Sequence, residues 1–343
     1  MRQDVRNWLS PPDPWKNHNL ARESRHSGTG TWWIEGDVYA GWKSSGASSL
    51  LWIYGKRQYF ILMCLPETDG NSLFSGCRKE HHLVSYDNLS LVRVHKLMLL
   101  ASSAIIEDIR TVQRFGLASL AFFYCDFRDE QKTVSRGLLS SLLVQLGGQS
   151  DAYSTVLSDF YVSHARGSQH ASDSELVGCL KDMLNLPGQA TVHIVIDALD
   201  ECPVTTGLVF TRRKVLELLE ELVNLHIPNL RICVTSRPEA DILPVVGPLA
   251  SYSVSLHCES GQVQDIAEYV WSFVHTSRET MRWKAADKQL AINELTIKAD
   301  GMCVNPCYHY FISLVYICDV GSVGSSASSS ISVVASQAAC GMR

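Results

Sequence analysis

The stretch "HIVIDALDECP", residues 193–203, carries three carboxylates at a spacing that suits phosphate chemistry. An apolar run ends in Asp197, and Asp200 and Glu201 follow three and four residues later. A carboxylate at the C-terminal end of a buried strand can hold a hydrated Mg²⁺ beside phosphates. A second acid just beyond can orient an attacking water. The plainer reading is that these acids cap the next helix. In "ICVTSRP", residues 232–238, Arg237 leaves another apolar run, where a cation can sense a terminal phosphate. Alone it would be a surface charge; its meaning comes from following the acidic run. The third place is "SSLLWIYGKRQYFILMC", residues 48–64. There an apolar run leads into Gly55 and Lys56 as a phosphate-binding loop would begin. The chain then gives Arg-Gln-Tyr-Phe instead of glycines and a Lys-Ser or Lys-Thr pair. The pattern GxxxxGK[ST] occurs nowhere in the sequence.

The elements that must position these residues are legible as runs. Residues 49–55, 117–127, 191–201, 230–238 and 252–258 have strand character. The middle three are nearly continuous apolar runs, as in strands buried on both faces of a parallel sheet. Between them, residues 134–146 place Leu138, Leu139, Leu142 and Leu146 on one helical face. Residues 214–225 do the same with Val215, Leu218, Leu219, Leu222 and Val223, with acids opposite. Strands alternating with helices predict an α/β fold with a doubly wound parallel sheet, whose strand C-termini share one edge. Trp32, Trp33, Tyr39 and Trp42 pack against the sheet or line a base pocket, and packing is the preferred reading because aromatics bury so much area.

Composition limits the alternatives. The chain has 343 residues, 46% hydrophobic and 19% charged, with net charge −5, so a sizeable core is expected. That charge gives no electrostatic reason for nucleic acid or an acidic membrane as partner. Eleven cysteines are scattered without a CxxC pair, and free thiols at this density predict a reducing compartment. Cys77, His81 and His82 make the nearest approach to a metal cluster, and solvated loop residues are the preferred reading. No secretory leader or membrane span is expected, so the protein is expected to be cytoplasmic.

With these motifs in place the chain resembles the NACHT domain of fungal STAND proteins, the nephrocystin-type P-loop NTPases. The resemblance rests on residues 8–56, "LASLAFFYCDFRDEQKTVSRGLLSSLLVQL", "HIVIDALDECP", "LRICVTSRPEADI" and "RWKAADKQLAINELTIKADGM". It implies a P-loop NTPase-like fold, ATP or GTP with Mg²⁺ as cofactor, and protein partners or self-association. Asp197 resembles the Mg²⁺-side acid of Walker B, Asp200 and Glu201 the acids that activate water, and Arg237 the sensor arginine. Gly55 resembles the first residue of the Walker A loop. The organisation implied is a lead-in over 1–47, a NACHT-like α/β domain over 48–258 interrupted by an insertion at 57–99, the start of a helical region over 259–302, and a low-complexity tail over 303–343. The expected function is a nucleotide-dependent signalling switch that is defective and without hydrolytic activity, because the phosphate loop is missing. The alternatives are a nucleotide-independent interaction scaffold, an active NTPase with an unconventional loop, and a chain carrying unspliced segments where the resemblance stops.

Overall fold

The computed structural model describes residues 2–24, 34–55, 86–132, 135–204 and 211–256, with scattered positions between 271 and 293. The elements, in order, are α1 (Arg2–Leu9), α2 (Trp15–Ser24), α3 (Asp37–Ser44), β1 (Ser49–Tyr54), α4 (Tyr86–Gln113) and β2 (Ala118–Tyr124). They continue with α5 (Ser135–Gly147), α6 (Asp151–Ser163), α7 (Asp173–Leu184), β3 (Thr191–Asp197), α8 (Thr211–Asn224), β4 (Leu230–Ser236), α9 (Leu243–Leu249) and β5 (Tyr252–Ser255). All five strands fall on the runs read from the sequence. They form one sheet in the order β2-β3-β4-β1-β5, parallel throughout. This is the α/β architecture expected of a P-loop NTPase-like fold.

The apolar runs are continuous because both faces of the sheet are covered. Leu50, Trp52, Ala121, Phe123, Val192, Ile194, Ile196, Leu230, Ile232 and Val234 enter one core. They meet the leucines of α5 and α8 there, with α6, α7 and Val5 and Leu9 of α1 packed around them. The alternate strand residues Leu51, Ile53, Leu120, Phe122, Tyr124, Val195 and Cys233 enter a second, smaller core under α3 and α4. Tyr39 and Trp42 lie buried in that second core, and the Trp42 indole N–H donates to the Ile232 carbonyl at 3.1 Å. Packing is therefore the role of these two aromatics. Trp32 and Trp33 lie outside the described residues, as do Cys77, His81, His82 and the tail from 303.

Two local outcomes differ from the sequence reading. The periodicity placed the helix after β1 at "SSAIIEDIRTVQ", residues 102–113. The helix instead starts at Tyr86, and Met98 is buried in the second core. Residues 86–99 mix polar and apolar types without a clean stripe, so their helical continuation left no period to read. The helices α6 and α7 also went unpredicted, although α7 begins with a complete capping box. The Ser172 hydroxyl accepts from the Glu175 amide, and the Glu175 carboxylate accepts from the Ser172 amide. Among the described residues, no helix is long and apolar enough to cross a membrane.

Candidate functional site

Parallel pairing brings the three motifs to one edge. Tyr54 is in register with Ser236, and Ile196 with Val234, so Gly55, Asp197 and Arg237 all lie at strand C-termini. Strand β4 stands between β1 and β3, and the edges of β1 and β4 are fastened together by the Trp52 indole, which donates to the Ser236 hydroxyl at 2.9 Å. Lys56 lies outside the described residues.

Asp197 is fully buried at the last position of β3. Its Oδ1 accepts a 2.6 Å hydrogen bond from the Thr235 hydroxyl of β4 and another from the Ser102 hydroxyl of α4. Thr235 in turn accepts from the Ala198 amide at 2.9 Å. That bond holds Ala198 at φ 53°, a left-handed conformation that costs an ordinary L residue about 1 kcal/mol. The reversal at Ala198 starts the short 3₁₀ turn Leu199–Glu201, which carries the other two acids.

Asp200 does not face the edge as an uncommitted acid. Its Oδ1 accepts from the Arg237 amide at 3.0 Å and its Oδ2 from Arg237 Nε at 2.6 Å, with both side chains almost wholly buried. The acid proposed to activate water and the arginine proposed to sense phosphate thus form a pair with each other. Arg212, from α8, braces the same turn: its guanidinium donates to the Asp200 and Cys202 carbonyls and to the Asp241 carboxylate. Glu201 is half-buried at the end of the turn, and its amide donates to the Ala198 carbonyl at 2.8 Å. Ser102, Thr235 and Arg212 had no signal in the sequence. Each acquires its role only through the adjacency of separate elements.

Beyond β2, a second polar cluster joins the edge. Asp126 accepts from Arg128 at 2.9 Å and from the Asn17 amide of α2 at 3.1 Å, and Asn17 accepts from the buried Lys132 ammonium at 2.6 Å. Burial alone would raise the Asp126 pKa, but the Arg128 and Asn17 hydrogen bonds hold it down to about 2. His18 of α2 bridges the Tyr124 hydroxyl at 3.0 Å and the Glu107 carboxylate at 2.7 Å. Burial dominates the His18 ring and lowers its pKa, against the opposing pull of Glu107. Helix α2 is therefore anchored by buried polar groups on the strand next to Asp197.

Asp197 and Ser102 are the residues at this edge that could hold a Mg²⁺ beside phosphates, with Asp197 fully buried as it stands. A carboxylate at a strand end with a hydroxyl on it, from Asp197 and Ser102, suits the one or two protein ligands that a phosphate-bound Mg²⁺ takes. The sequence from 57 to 99 contains glycine only at Gly70 and Gly76 and no Gly-Lys-Ser or Gly-Lys-Thr, and residues 56–85 lie outside the described residues. Among the described residues, no cluster of three or more His, Cys, Asp or Glu side chains could hold a metal by itself.

Residues 99–237 match the family model described as nephrocystin 3, N-terminal. The match begins inside α4, three residues before Ser102, and ends on Arg237. It thus spans the acidic strand, its turn and the strand beside it. No curated protein matches the chain.

Proposed function

We propose, taking as premise a nephrocystin-type segment over residues 99–237, that the chain is a NACHT-like module of the STAND class whose nucleotide switch is defective. The carrying observation is the Asp200–Arg237 pair. In a working site of this class the strand-end acid and arginine would answer to a bound triphosphate. Here they are closed on one another beside a buried Asp197. A pair so enclosed is costly to separate, because each charge would be left buried without its partner. The missing phosphate cradle points the same way. Without loop amides and lysine the triphosphate has no fixed counter-charge, and Asp197 and Glu201 repel it. The fold then serves as a scaffold for protein partners or self-association, in keeping with the resemblance, and the site carries no NTP hydrolysis.

Calorimetry with ATP and GTP in the presence of Mg²⁺ tests this reading. The 343-residue chain is expected to bind neither more tightly than about 1 mM. A variant in which residues 57–97 are replaced by a Gly-Ser-Gly-Lys-Ser loop, keeping the buried Met98, is expected to bind measurably. Tight binding by the unaltered chain that Asp197→Ala abolishes would refute the proposal.

A further inference from the structure

We propose that Cys125 and Cys202 form a reversible disulfide that ties the end of β2 to the acidic turn after β3. The two sulfurs lie 3.2 Å apart, and both residues are almost wholly buried. Their meeting follows from the sheet. Strands β2 and β3 are neighbours with Tyr124 opposite Asp197, so Cys125 stands one residue past the paired edge. The 3₁₀ turn Leu199–Glu201 then folds the chain back and returns Cys202 to the same place. Both backbones are fixed there. The Cys125 amide donates to the Asp197 carbonyl at 3.0 Å, the Cys202 amide to the Leu199 carbonyl at 3.1 Å, and Arg212 Nε to the Cys202 carbonyl at 2.8 Å. A disulfide spans about 2.05 Å, so the sulfurs need to close by only about 1 Å, within reach of small side-chain rotations.

The oxidant is a peroxide. One thiol gives up its proton and attacks hydrogen peroxide as the thiolate, breaking the O–O bond to give a sulfenic acid and a hydroxide that takes the proton to become water. The second thiol then attacks that sulfur and expels the hydroxyl as a second water. Two thiols and one peroxide become one disulfide and two waters, and a dithiol reductant reverses the step. Burial keeps bulky oxidants out and restricts the reaction to a molecule the size of peroxide, or to moments when the turn opens. The bond would fix Asp200 and Glu201 relative to β2. The proposal does not depend on whether the edge takes nucleotide.

The test is peptide mapping without reduction of the full chain after treatment with hydrogen peroxide. The expected result is a predominant crosslinked peptide joining Cys125 to Cys202, with a loss of two hydrogens. Cys179 and Cys233, buried as well, should stay reduced and serve as controls for burial alone. The two sulfurs lie 77 residues apart in sequence, so oxidation should raise Tm by about 10 °C, reversed by dithiothreitol and absent in Cys125→Ser. Mapping uses the unaltered chain and stands whether or not that variant folds. Recovery of both residues as thiols or sulfinic acids, their crosslinking to other cysteines, or the same Tm rise in Cys125→Ser would overturn the proposal.

Discussion

The ends of β3 and β4 and the end of β1 lie on one edge, yet they are built in opposite ways. At β3 and β4 charged and polar side chains are matched inside the protein. Asp197 meets Ser102 and Thr235, and Asp200 meets Arg237. At β1 the edge is aromatic: the Trp52 and Tyr54 rings pack tilted at 31° with centroids 4.6 Å apart, and a single indole hydrogen bond reaches Ser236. The family match covers the first pair of strands and leaves out β1. The acid-bearing half of the edge is engaged with itself. Its charges hold two strands and a turn together, a role that survives without any ligand.

If that is so, breaking the acidic half should cost far more than disturbing β1. The largest effect is expected from Arg237→Ala, which strands Asp200 as a buried charge and should lower unfolding stability by about 3–5 kcal/mol in urea titrations. Replacing both members by apolar residues should recover most of the loss. A result near zero for Arg237→Ala would mean that the pair contributes nothing to holding β3 to β4.

The next effect concerns the interior of β3. His193 is buried, and burial, with help from the Arg231 and Lys43 charges, pushes its pKa down to about 4. The unfolded chain takes up that proton near pH 6.5 while the folded one refuses it. The stabilisation is complete above pH 6.5 and is lost as pH falls toward 4, amounting to about 2–3 kcal/mol. Melting curves across that window should show the slope, and His193→Gln should flatten it. The smallest effect is expected on the aromatic side. Trp52→Phe removes one hydrogen bond to Ser236 and should cost about 1 kcal/mol beyond the lost ring area. A loss as large as that of Arg237→Ala would erase the contrast between the two halves.

The fold was legible because a strand covered on both faces is apolar at nearly every position, and three such runs stand out between turns, with two shorter runs at 49–55 and 252–258 beside them. Their order in the sheet was not legible, since no local pattern states which strand neighbours which. That is why Asp197, Gly55 and Arg237 could be assigned to one edge, whereas the Asp200–Arg237 pairing could not be foreseen. It requires β3 and β4 to be adjacent and Ala198 to reverse the chain. The cysteines show the same limit. As residues scattered along the chain they signalled only a reducing compartment, and their contact exists because β2 and β3 lie side by side. The long helix α4 escaped detection over its first half for a different reason, the lack of an apolar stripe to read.

That helix has a mechanical consequence. Ser102 on α4 is bonded to Asp197, while Glu107 and Asp108 of the same helix hold His18 of α2 and both Tyr39 and Lys43 of α3. At 1.5 Å per residue, Ser102 and Gln113 are about 16 Å apart along its axis. Glu107 and Asp108 lie about 8 Å from Ser102 along it, so a tilt of about 5° pivoting at Ser102 would move them by about 0.7 Å. Helix α4 therefore ties the buried carboxylate and two amino-terminal helices to one rigid element, so none of the three can shift along it without straining the others.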